Sequence, residues 1–204
     1  MNIALISKKG GPGKTTLSIL LNEALLQTNQ SVSIRDYDEQ GSASKVLRIL
    51  CQNNDTQNIP LESLGSRGAI RIFDTPPDLT SAATRAAALE SDVILIPTSP
   101  DPLDMQEVEE AYKFATRTNP NAVVRIVLNK VRANTILGEA AASFLKQIGE
   151  LLPATLNLRE SYKHASLKGW NSLDSAAQKE LLKFTTAVTL LLPIAGAATQ
   201  TNRR

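Results

Sequence analysis

The chain has one cysteine, Cys51, and one histidine, His164. A single thiol closes no intrachain disulfide and supplies no cysteine-ligated zinc or iron–sulfur site. His164 has no catalytic or metal-ligand constellation around it in the sequence and reads as incidental. Long apolar runs are also missing: nothing approaches the roughly 18 uninterrupted apolar residues of a membrane span. The opening Met-Asn-Ile-Ala-Leu-Ile lacks the basic stretch of a secretory signal, so the expected address is cytoplasmic. Charge of one sign is not in excess. The 22 Lys and Arg against 20 Asp and Glu leave a formal charge of +2, and any nucleic-acid role must come from a local patch. Aromatics are only 4% of the 204 residues while hydrophobics reach 42%, which calls for an aliphatic, alanine-rich core. The length predicts one domain over 1–192, with a flexible tail at 193–204.

What is present is an alternation of apolar runs and helical patterns. Asn2 to Ser7 reads as a buried strand running into Lys-Lys-Gly-Gly-Pro-Gly, and Leu17, Leu20, Leu21, Ala24 and Leu25 share one face of a helix from Gly13 to Thr28. Further strands are expected at Ser31 to Asp36, Ala69 to Asp74, Asp92 to Pro97 and Ala122 to Leu128, with a sixth at Leu151 to Leu156. The intervening helices fall near Ser42 to Leu50, Leu79 to Leu89 and Ala133 to Ile148, with one between that places Leu103, Val108, Ala111 and Ala115 inward. Gln52 to Asn58 reads as loop. Helices near Leu158 to Leu167 and Leu173 to Leu192 complete the pattern. Near-continuous apolar strands separated by helices predict an α/β, doubly wound, mainly parallel sheet covered on both faces.

The segment Lys8-Lys9-Gly10-Gly11-Pro12-Gly13-Lys14-Thr15-Thr16 sits at the strand-to-helix junction. Glycines there let successive N–H groups face one concavity, and the helix amino end adds partial positive charge, a combination suited to a phosphate chain. Lys14 would reach the β- and γ-phosphates and the Thr15 hydroxyl would hold Mg²⁺. The strict phosphate-loop pattern requires glycine where Lys8 stands, and Pro12 offers no N–H to the cradle. Ile72-Phe73-Asp74 is an apolar strand ending in a carboxylate, the arrangement that presents an aspartate to Mg²⁺. A site for a nucleotide's phosphate chain and Mg²⁺ follows.

Lys9 to Thr15 resembles the deviant Walker A loop of the ParA/MinD group of P-loop ATPases, Lys-Gly-Gly-x-Gly-Lys-Thr, at every fixed position. The resemblance implies that Lys9 crosses a nucleotide-sandwich dimer to the partner's ATP, in place of an arginine finger; Lys8 reads as a surface lysine. Asp36-Tyr37-Asp38-Glu39-Gln40-Gly41 resembles the group's switch I, with Glu39 where proline is common. By that likeness Asp38 orients or activates the attacking water and Asp36 supports the magnesium shell. Asp74-Thr75-Pro76-Pro77 resembles its switch II. Asn129 resembles the adenine-reading amide with Lys130 beside it, although Asn-Lys after a strand is also a common turn. The stretch from Asn157 to Gly169 resembles the segment that closes over adenine.

Charge is segregated. Glu90 to Glu110 carries seven acidic residues and no basic one, whereas Tyr112 to Gly138 carries Lys113, Arg117, Arg125, Lys130 and Arg132 with no acidic one. The basic residues of the carboxyl half are either an ordinary solvated surface or a phosphate-contacting surface for DNA. The resemblance favours DNA and singles out Arg159, with Lys163 and Lys168. Leu181, Leu182, Phe184, Val188, Leu191 and Leu192 fit core packing better than a membrane anchor. The resemblance thus implies an ATPase that dimerises on ATP, binds nucleoid DNA non-specifically, and positions a cargo whose activator, of ParB or analogous type, stimulates hydrolysis. The cargo would be a plasmid, a chromosome, a chemoreceptor cluster, or a protein organelle such as the carboxysome. The rivals are a MinD-like membrane switch and an ATP-dependent amide-forming ligase of related fold. No amino-terminal helix-turn-helix extension is expected.

Overall fold

The computed structural model describes residues 1–53, 69–132 and 135–191. Five strands, β1 (Asn2–Leu5), β2 (Val32–Asp36), β3 (Ile70–Asp74), β4 (Val93–Thr98) and β5 (Val123–Leu128), form one parallel sheet in the order β2-β3-β1-β4-β5. The period-2 pleat splits their side chains between two cores. Ile3, Leu5, Ile34, Ile72, Val93 and Leu95 point to one face; Ala4, Ile6, Phe73, Ile94, Ile96 and Ile126 point to the other. Both faces are apolar because both are covered, as crossover helices require. The first face carries α1 (Lys14–Gln27), α2 (Ser42–Asn53), α7 (Glu160–Lys168) and α8 (Ser175–Thr189). The second carries α3 (Ala82–Leu89), α5 (Val108–Thr118) and α6 (Ile136–Ile148). A short helix α4 (Pro102–Gln106) precedes α5.

β1, the central strand, and its neighbour β4 send their following segments to opposite faces. In such a sheet the crevice beyond the carboxyl ends of those strands is where ligands bind. It lies between the loop at 7–13 and the turn that leads into α4.

Three expectations change. The helix holding Leu103 with Val108 is two helices, α4 and α5, meeting at Glu107. Leu103 is 65% exposed, while Val108, Ala111 and Ala115 are buried. Val108 follows Leu103 by five positions, roughly 140° around a helix, so the two never share a face. The sixth strand is not continuous. Leu152 N donates to Ile126 O and Leu156 N to Leu128 O, leaving only isolated bridges at Leu151 and Asn157; the four positions from Leu152 to Leu156 pass only the two from Ile126 to Leu128, so the segment bulges and the ladder breaks. Finally, α2 runs on to Asn53, past the expected start of the loop. The rest of that loop, Ala133, Leu192 and the tail at 193–204 lie outside the described residues.

Candidate functional site

The loop after β1 turns on two glycines in the left-handed region, Gly11 at φ 116° and Gly13 at φ 98°, where an L side chain is strained. Gly13 is the residue preceding α1, and a Cβ on it would lie 2.8 Å from Asn129 Nδ2. Above Gly10 and Gly11 the space is open: a Cβ there would meet nothing within 4 Å. The result is a glycine cradle at the amino end of a 14-residue helix, the setting that favours an anion.

Lys14 is buried beneath this cradle. Its Nζ donates to Ser7 Oγ at 2.7 Å, and the Ser7 hydroxyl donates onward to Lys9 O at 2.8 Å. Burial lowers the Lys14 pKa, while Asp74 and Asp38 pull it back up. Asp74 has no exposed surface. It receives the Thr15 hydroxyl at 2.7 Å and the Ser18 hydroxyl at 3.2 Å. Burial pushes its carboxyl up to about 6, against the Thr15 and Ser18 hydrogen bonds. Asp36 stands beside Asp74 in register on β2. Its two oxygens are taken by backbone N–H groups of Asp38 (3.1 Å) and Ser44 (2.9 Å), which fold the switch-like turn 36–44 around it. Asp38 in turn accepts Gln40 N at 3.0 Å.

Asn129 and Lys130 reach the loop from the end of β5. Asn129 Nδ2 donates to Pro12 O at 2.8 Å, and Lys130 Nζ donates to Gly11 O. These bonds draw loop carbonyls outward, toward β5. Lys9 is on the opposite rim: its ammonium pairs with Glu107 at 2.7 Å, and Lys8 pairs with Glu107 and Glu110. Lys8 is thus a surface lysine of the rim, its side chain 40% exposed, that is paired with two carboxylates.

Arg159 is set apart from this cluster. It donates from Nε and one terminal nitrogen to Glu180 Oε2, and Glu180 also accepts from Asn157 N, Asn157 Nδ2 and the Tyr162 hydroxyl. Burial alone would raise the Glu180 pKa, but the bonds from Arg159, Tyr162 and Asn157 outweigh it and hold it low. This network ties the 157–162 segment to α8. Lys163 and Lys168 are exposed on α7.

Sequence reasoning missed Ser7, Ser18 and Glu107. Ser7 and Ser18 carry a local signal, since one ends the apolar run before the loop and the other lies one turn beyond Lys14. Glu107 carries none, because only the fold brings it to Lys9.

The residues fit ATP and magnesium. Asp74 and Thr15 offer oxygen donors side by side, and among the described residues no group of three His, Cys, Asp or Glu gathers. That sparse oxygen set suits Mg²⁺, which takes few protein ligands and fills the rest with phosphate and water.

Comparison with known proteins agrees with this geometry. Residues 3–169 match the model of the CobQ/CobB/MinD/ParA nucleotide binding domain. A "Maintenance of carboxysome distribution protein A" from Gloeobacter kilaueensis is 32% identical over 182 residues, covering 84% of this chain and 83% of that protein. One from Halothiobacillus neapolitanus is 28% identical over 182 residues, covering 82% and 84% respectively. Among solved structures, a Cyanothece McdA variant in complex with ATP superposes with a TM-score of 0.75 at 15% identity, over 93% of this chain and 96% of that one.

Proposed function

Because the chain belongs to the CobQ/CobB/MinD/ParA nucleotide-binding family, we propose that it is a ParA-type positioning ATPase that works as an ATP-dependent dimer on DNA. The observation that carries the proposal is the presence, beside the buried Lys14 and Asp74 and the half-buried Thr15, of a second lysine, Lys9, whose side chain is 49% exposed on the rim. A metabolic ligase of the same fold needs the first element and has no use for the second.

In this reading Gly10, Gly11, Gly13, Lys14, Thr15 and Thr16 cradle the phosphates, with Pro12 shaping the turn. Thr15 and Asp74 hold Mg²⁺, and Asp36 braces them through the turn it organises. Bound Mg²⁺-ATP supplies the γ-phosphoryl group that passes to water. Asp38 orients that water, and Lys14 and the partner's Lys9 stabilise the charge that develops. Asn129 and Lys130 fix the loop while bordering the base. Hydrolysis acts as a timer, accelerated by an activator on the cargo. The carboxysome-distribution relatives favour a protein organelle as that cargo over a plasmid.

Lys163 and Lys168 are the exposed cations offered to DNA phosphates, and dimerisation doubles the patch. Arg159, held by Glu180, orders the segment beside them. A MinD-like membrane switch finds less support from α8, whose Leu181, Phe184 and Val188 are fully buried in the core rather than presented to a membrane surface. Pelleting with DNA and with anionic liposomes, each with and without ATP, tests the proposal. ATP-dependent recovery with DNA is expected; recovery with liposomes alone would favour the membrane switch, and recovery with neither would overturn the positioning role.

A further inference from the structure

We infer that Glu107 is the in-chain holder of Lys9, keeping the lysine on its own subunit until a partner's triphosphate competes for it, and that Lys8 remains behind to neutralise Glu107 when Lys9 leaves. The inference rests on the reading of Lys9 as a residue that acts across the dimer.

The geometry divides the Glu107 carboxylate between two cations. Oε1 is 2.7 Å from Lys9 Nζ and Oε2 is 2.8 Å from Lys8 Nζ. Lys8 has a second carboxylate, Glu110, at 2.6 Å. Among the described residues, Glu107 is the one carboxylate within ion-pair distance of Lys9. Freeing Lys9 therefore leaves Lys8 bridging Glu107 and Glu110, and Glu107 does not become an unpaired negative charge facing an incoming triphosphate.

The parts are mounted so that only the Lys9 side chain needs to move. The Lys9 carbonyl is fixed by the Ser7 hydroxyl at 2.8 Å and approached by Lys14 Nζ at 3.4 Å. Glu107 stands at the joint between α4 and α5, next to Val108, which is 2% exposed and anchors the start of α5 in the core. The holder is rigid and the held group is long and flexible. The strength is suited to release: the Lys8, Lys9 and Glu107 side chains are 40%, 49% and 20% exposed, and ion pairs in such water-accessible settings are weak. A triphosphate with several negative oxygens outcompetes one carboxylate for an ammonium. This also gives Lys8 a purpose at a position where the strict phosphate loop has glycine.

The test measures ATP- and magnesium-dependent dimerisation by sedimentation for the wild type, Glu107→Gln, Glu110→Gln and Lys9→Ala, with nucleotide binding followed for each as the control for folding. Glu107→Gln releases Lys9 in both subunits and should lower the protein concentration for half-dimerisation by about three- to tenfold, from the usual worth of two exposed pairs. Glu110→Gln removes the same charge three positions further on, within α5 and without touching Lys9, and should change it by less than about twofold. Unchanged or weaker dimerisation in Glu107→Gln would overturn the inference, as would equal tightening in Glu110→Gln. Undiminished dimerisation in Lys9→Ala would instead overturn the parent reading.

Discussion

Asp74 ends β3 with no exposed surface, and its burial decides its behaviour as an acid. The carboxyl is pushed from 3.8 up to about 6. In metal-free protein, then, the native state binds the proton more tightly than the unfolded chain does. Its contribution to stability is present at low pH and is lost as pH rises from about 4 through about 6. Above that range the ionised group costs as much as about 3 kcal/mol. Asp74→Asn should raise the metal-free melting temperature at about pH 8, give no such gain below about pH 4, and abolish magnesium-dependent ATP binding. Calorimetry in chelator and a nucleotide titration with magnesium check the two halves. The residue was legible because it ends an apolar strand. Its proton affinity was not, since that is set first by complete burial and then by the opposing hydroxyl of Thr15 and the neighbouring Asp36, which pairing across the sheet brings close.

At the scale of elements, α1 shows what a periodicity reading captures and what it passes over. Leu17, Leu20, Leu21, Ala24 and Leu25 announce one apolar face, and all five are buried. So are Ser18, Asn22 and Glu23, because α2, α7 and α8 pack around the same helix. Buried polar residues leave no mark in an apolar repeat. Glu23 accepts Trp170 N at 3.1 Å through Oε2, and its Oε1 has no hydrogen-bond partner among the described residues. Burial raises its pKa against that one bond. The carboxylate therefore weighs against folding at neutral pH, and the penalty eases as pH falls through the raised value. Glu23→Gln should raise the melting temperature by about 2–4 °C at about pH 8, and the gain should shrink on acidification. A scanning-fluorimetry series in pH would refute this if the gain grew instead. Element order was readable throughout; the failures came where a helix broke at Glu107 and where the chain bulged between Leu152 and Leu156.

For the whole molecule, the parallel sheet and its two covered faces were legible from the alternation of strands and helices. The position of the site followed, since the loop after the central strand faces the crevice at the carboxyl edge. What the sequence did not disclose was the division of labour around that edge. Asn129 and Lys130 hold the loop at 7–13 from the end of β5, Glu107 pairs with Lys9 from the joint between α4 and α5, and Glu180 holds Arg159 from α8. Each contact joins residues far apart in the chain.

The central claim is that Lys9 of each subunit engages the triphosphate held by the other. Sedimentation velocity of Asp38→Ala with saturating ATP and magnesium, beside the Lys9→Ala/Asp38→Ala double variant, tests it most directly. A stable dimer for the single variant and a nucleotide-bound monomer for the double variant are expected. A monomer in the first case, or a persistent dimer in the second, would contradict the account.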